Sequence, residues 1–181
     1  TIRKSDAFKS EKQVFDELHE IVKELGALVS EEELLKGLSK DPLTQNHVHF
    51  YLVLGDEFNK HKEDEHFSSR WTTDTDVADL VHDALKNLYA SLSDDELFSE
   101  NEIIAKFLEH LKGLSDEYRN EEIARRWLGL SKTIGKNPLG EWGKTESSNV
   151  KTRGIKDYAF LIMRKHGSPM HFRDVAKSIC D

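Results

Sequence analysis

Residues 99–142 read SENEIIAKFLEHLKGLSDEYRNEEIARRWLGLSKTIGKNPLGEW, and the order of elements in this stretch decides the fold. Ser99 with Glu102 three residues on is a capped helix start, because each side chain can satisfy a backbone amide that the first turn leaves free. Ile103, Ile104, Phe107, Leu108 and Leu111 follow at helical spacing. Gly113-Leu114-Ser115 breaks that helix, and a second helical run is expected over Glu117 to Leu130, carrying Arg119, Arg125 and Arg126. From Ser131 the text is punctuated by Gly and Pro and closes on Trp142, which reads as a short hairpin. Helix, turn, helix, hairpin is the order of a winged helix-turn-helix.

The chain repeats this text. Ser30, Ser99 and Ser168 stand 69 residues apart, twice. Leu34, Leu35 and Leu38 follow the first serine, Ile103, Ile104 and Phe107 the second, and Phe172, Val175 and Ala176 the third. Those positions share one helical face. Trp71 follows Ser30 by 41 residues and Trp142 follows Ser99 by 43. A period near 70 residues exceeds most solenoid units, so tandem small domains are expected.

Composition agrees with small cores. Of the 181 residues, 37% are hydrophobic and 33% charged, a balance suited to small domains with much surface per volume. The net charge of −8 is unevenly spread. Residues 1–76 carry 10 basic and 17 acidic side chains, residues 77–144 carry 9 and 13, and residues 145–181 carry 7 and 4. One cysteine, Cys180, allows no disulfide framework, which favours a reducing, cytoplasmic setting. No apolar run approaches a membrane span and no signal peptide is visible. The chain begins with Thr rather than Met, as a fragment of a longer protein would.

In order along the chain, residues 1–10 read as a polar lead-in and Lys12 to Leu25 as an amphipathic helix ended by Gly26. A short strand at Leu28 or Val29, a helix over Glu31 to Leu38 and a third helix capped by Asp41 with Pro42 at its first position follow. Phe58 to Trp71 is expected to be a hairpin with its tip at Lys60 to Glu65. Thr72 to Asp76 reads as a linker, Val77 to Leu92 as the first helix of the next unit, and Thr145 to Thr152 as a second linker. Helices over Ile155 to Lys165 and Met170 to Ile179 close the chain. The expected class is mainly α: winged-helix unit one at 8–74, unit two at 77–146, and a helix pair at 155–180 forming a partial third unit. By the register of the first two units, that third unit stops where its own third helix and wing would begin.

The text from Tyr158 to Ala176, with its Gly167-Ser-Pro169-Met-His-Phe172 core, resembles the opening of a HARE-type winged helix-turn-helix. That family occurs in the delta subunit of bacterial RNA polymerase, in restriction endonucleases, in chromatin proteins and in bacterial sigma-factor-like proteins. Phe58 to Trp71 is similar to the wing of the same family. The resemblance implies a helical core with small hairpins and a role in transcription or DNA transactions. It supplies no catalytic residues.

The best candidates for nucleic-acid contact are Arg119, Arg125, Arg126, Lys132, Lys136, Lys144, Lys151 and Arg153. A recognition helix needs side chains that reach base edges, and a wing needs cations for phosphates. The competing reading is a solvated face, since Glu117, Glu121, Glu122 and Glu141 interleave with them. The corresponding helix of unit one, Gln45-Asn-His-Val-His-Phe-Tyr51, holds no Lys or Arg and reads as a protein-contact surface. In its wing tip, Glu63, Asp64 and Glu65 are expected to cancel Lys60 and Lys62. His61 and His66 flank those acids, but a charged turn is a better reading than a metal site. Trp71, Trp127 and Trp142 are expected in the core. No phosphate loop, nucleophile elbow or zinc-helix motif is present, so no catalysis and no cofactor are expected. The favoured function is a transcription-associated DNA-binding protein, with unit two and the basic tail touching phosphate; the alternative is an interaction module that docks on RNA polymerase or another transcription protein without binding DNA itself. A binder needs a contiguous positive face; an interaction module does not. The text leaves operator, partner, regulatory input and oligomeric state open.

Overall fold

The structure is a computed structural model and describes residues 11–152 and 154–180. The expected lead-in at 1–10 and the candidate Arg153 lie outside the described residues. The chain is mainly helical, with two small antiparallel sheets. In the first half, helix α1 (Glu11–Glu24) is followed by strand β1 (Leu28–Ser30), helix α2 (Glu31–Leu38) and helix α3 (Pro42–Leu54). Strands β2 (Asn59–His61) and β3 (Arg70–Thr72) complete a three-stranded sheet in the order β1-β3-β2. Local chemistry sets the ends. Ser30 Oγ accepts from the Glu33 amide at 3.0 Å, and Asp41 Oδ2 accepts from the Thr44 amide at 2.9 Å.

The second half repeats the order. Helix α4 (Thr75–Ser91) leads to α5 (Glu100–His110), a 3-10 turn (Asp116–Tyr118), α6 (Glu121–Leu128), and the hairpin β4 (Ile134–Lys136) and β5 (Trp142–Lys144). Ser99 and Glu102 form the reciprocal capping box. The strand before α5 is reduced to one residue: Phe98 and Trp142 exchange amide and carbonyl bonds at 2.8 and 2.7 Å. Helices α7 (Ile155–His166) and α8 (Phe172–Cys180) close the chain, packed on each other.

Four readings of the sequence need correction. Thr72 to Asp76 is no linker: Thr72 ends β3 fully buried, its hydroxyl bonded to Ala27 O at 2.7 Å, and Asp74 caps α4. Thr145 to Thr152 is a series of turns that buries Ser147, Asn149 and Val150. The run from Glu117 to Leu130 divides, because Asn120 Oδ1 caps α6 through the Ile123 amide and leaves a separate 3-10 turn before it. The last helix starts at Phe172, and the hydroxyl of Ser168 meets His166 Nδ1 instead of capping a helix.

The two halves share a strand. Side chains alternate across β1, so Leu28 enters the core formed mainly by α4, α5 and α6, while Val29 enters the core of the first half. Trp127 of α6, fully buried, donates its indole N–H to Leu28 O at 3.1 Å. Gly26, at φ 107°, permits this approach: a Cβ there would stand 2.6 Å from Ile123 Cγ2. The loop of the first hairpin adds a bridge between Phe67 and Ser131, with the Lys132 amide on His66 O at 2.7 Å and the Ser68 amide on Leu130 O at 3.0 Å.

Candidate interaction surfaces

The last two turns of α6 and the second hairpin place Arg125, Arg126, Lys132, Lys136 and Lys144 on the surface, and each one meets a carboxylate. Arg125 Nε and Lys136 Nζ converge on the two oxygens of Glu100, at 2.6 and 2.5 Å. Those two cations hold the Glu100 carboxyl below its ordinary range, Lys136 first and Arg125 second. Arg126 spans Glu33 of α2 at 3.0 Å and Glu122, one helical turn before it, at 2.7 Å. Lys132 reaches Glu63 at 2.8 Å and the carbonyl of Asp64 at 3.0 Å, both in the first hairpin. Lys144 lies over the Tyr89 ring and bonds Asp94 at 2.8 Å, which raises its pKa. Arg119 and Lys151 are exposed, on the 3-10 turn's C-terminal side and in the turns after β5.

Five of the eight candidate cations are thus paired with carboxylates. The structure brings Arg125 and Lys136 together, but around an acid. Lys136 ends β4, next to the hairpin tip, which is held by Asn137. The Asn137 side chain is buried. Its Oδ1 accepts from the Leu139 and Glu141 amides, and its Nδ2 donates to Asn149 O at 3.1 Å. The first hairpin also differs from expectation. Lys60 is not cancelled by the adjacent acids: it pairs with Glu31 at 2.6 Å. Glu31 also accepts from Ser69 at 2.8 Å and from the Trp71 indole at 3.3 Å. Burial opposes ionisation of Glu31, yet these donors together lower its pKa. Of the tip acids, Glu63 serves Lys132 and Asp64 serves Arg70.

On α3 the surface is of another kind. Leu43, Phe50 and Leu54 recur at helical spacing and, with Val53, are more than half exposed. Helix α3 contains no Lys or Arg. Sequence reasoning noted the missing cations but missed this apolar stripe. The signal was the 43, 50, 54 spacing, masked by a second apolar face through Val48, Tyr51 and Leu52 that packs inward. Among the described residues no three His, Cys, Asp or Glu side chains gather as a metal would require.

Glu100→Gln is expected to create weak, salt-sensitive DNA binding, because it frees two cations at once. The slope of log affinity against log salt should steepen by roughly 1.8, at about 0.9 for each phosphate newly neutralised. Fluorescence anisotropy of a labelled duplex over a salt series checks it. An unchanged, flat profile would mean that the carboxylate is not what silences Arg125 and Lys136.

No described helix is long and apolar enough to cross a membrane. No family model, no curated protein and no solved structure matches the chain.

Proposed function

We propose that the chain is a tandem winged-helix protein of the transcription apparatus and that it acts as a docking module, on RNA polymerase or another transcription protein, without binding DNA itself. Two features support the winged-helix assignment. Helix, strand, helix, helix, hairpin occurs in 8–74, and 77–146 follows the same order with its strand shortened to Phe98. The helix pair at 155–180 carries the text that resembles the HARE-type family. The docking role rests on one observation. The helix in the recognition position of unit one exposes an apolar stripe, while the cations around α6 and its wing are paired with carboxylates. An exposed pair contributes little stability, about 0–1 kcal/mol, so each could open. Opening them still leaves their acids, Glu33, Glu63, Asp94, Glu100 and Glu122, beside the cations, and a DNA ligand requires a positive surface.

A titration of duplex DNA across salt tests this reading. The wild-type chain is expected to show no measurable binding to duplex DNA even at low salt. A steep slope, lost on Arg125→Ala and Lys136→Glu, would instead assign unit two to DNA, the competing function. Binding of a purified bacterial RNA polymerase core, weakened by Phe50→Glu, is the matching positive result for docking.

A further inference from the structure

The large apolar side chains left in water are not scattered. Of nine such residues among those described, four lie on α3: Leu43, Phe50, Val53 and Leu54. Four more lie on the last helix pair: Ile155, Phe160 and Met163 on α7, and Phe172 on α8. Only Leu80 stands elsewhere, and it is the least exposed of the nine. Phe160 and Met163 are three residues apart, so they share a face of α7. Concentrated apolar exposure marks association surfaces, whereas single exposed residues do not.

The two faces carry opposite charge. The α3 stripe has Asp41 at its N-terminal end and Asp56 and Glu57 just after its C-terminal end, in a segment of 10 basic and 17 acidic residues. The α7–α8 face has Lys156 and Arg164 one turn on either side of Phe160, with Lys165 and Arg173 nearby, in a segment of 7 basic and 4 acidic residues. Arg173 lies over the Phe172 ring. Both faces are exposed within one chain, so neither covers the other there.

We infer that copies of this chain associate head to tail, the apolar stripe of α3 on one copy seated against the basic apolar face of α7–α8 on the next. The contact is heterologous: each copy offers two different surfaces, so association builds rows or closed rings rather than a symmetric pair. This goes beyond the docking reading, since a transcription partner that used α3 would have to displace the neighbouring copy.

Sedimentation velocity of the full chain over a hundred-fold concentration range tests it. The wild type is expected to sediment faster as concentration rises, and less so as salt rises. Phe50→Glu and Phe160→Glu alter exposed side chains and should leave the far-UV circular dichroism unchanged. Each alone should weaken association by about a hundredfold or more and sediment as a monomer. Mixed in equal amounts, the two variants retain one intact α7–α8 face and one intact α3 face, and should form a dimer and nothing larger. A monomeric wild type, either variant still self-associating, or a mixture that stays monomeric would overturn the inference. Phe160→Glu leaves α3 untouched, so polymerase binding measured on that variant separates this inference from the docking reading.

Discussion

Trp127→Ala should unfold both halves of the chain together and lower the melting temperature by roughly 10–15 °C. The indole is fully buried, set edge-on to Phe107 and tilted against Tyr118, and its N–H bonds Leu28 O. Truncating a buried Trp to Ala costs about 3–5 kcal/mol through lost transfer energy and the cavity left behind. In a chain of this length each kcal/mol lowers the midpoint by about 2–4 °C. The second consequence is more specific. Leu28 belongs to β1, whose next residue, Val29, lies in the other core. Loosening Leu28 therefore loosens the sheet of the first half. Calorimetry with probes in each half, such as the Trp71 environment in one and the Trp142 environment in the other, should give coincident transitions. A first half that melts at its wild-type temperature would refute the shared core.

Acidification between about pH 6.5 and pH 4 should destabilise the protein through His82. This histidine is buried on α4 beneath the first hairpin. Its Nε2 accepts from Arg70 Nε at 2.6 Å, Phe67 stacks on it, and the His61 ring lies 5.4 Å away. Burial comes first, and the Arg70 and His61 charges second, in pushing the His82 pKa down to about 4. Asp79 opposes the shift and Lys86 adds to it. The neutral ring is thus the folded form. The sign follows: stability is complete above the unfolded pKa near 6.5 and is lost as pH falls through the folded value. A shift of this size corresponds to a loss on the order of 3 kcal/mol at the acid end. His61, whose pKa burial and Arg70 also lower, adds in the same direction. Carboxylates such as Asp64 and Glu100 add their losses only at lower pH, because their pKa values lie below the usual carboxylate range. Denaturant melts at stepped pH check the effect. His82→Gln keeps an acceptor for Arg70 and should flatten the curve between pH 6.5 and 4.5. An equally steep curve in that variant would place the sensitivity elsewhere.

What the text disclosed and what it hid follow from sequence separation. Caps are local: Ser30, Asp41-Pro42 and Ser99 with Glu102 each act within three residues, and each was legible. The helix stripes and the buried tryptophans were legible for the same reason. Partner choice was not. Arg125 takes Glu100, 25 residues away, over the nearer Glu121, and Arg126 takes Glu33 as well as the local Glu122. The Leu28–Trp127 bond spans 99 residues, and no periodicity announces it. Polar runs misled twice. Thr72 and Asn149 read as linker residues because they are polar, yet both are buried with their hydrogen bonds satisfied by a distant backbone. The third serine of the repeat misled too, since recurrence of a residue does not carry its capping geometry with it.

The buried Asn137 fixes the tip of the second hairpin before anything touches it. Most exposed hairpin tips sample many conformations and must give up that freedom when they bind. Here the turn is held by its own asparagine and, through Asn149, by the loop before α5. A hairpin of this kind loses little conformational entropy on association, so more of its contact energy appears as affinity. It is also unable to remould itself. Selectivity at this surface then becomes a matter of shape already present, and a partner that does not match the frozen contour has no adaptation to exploit.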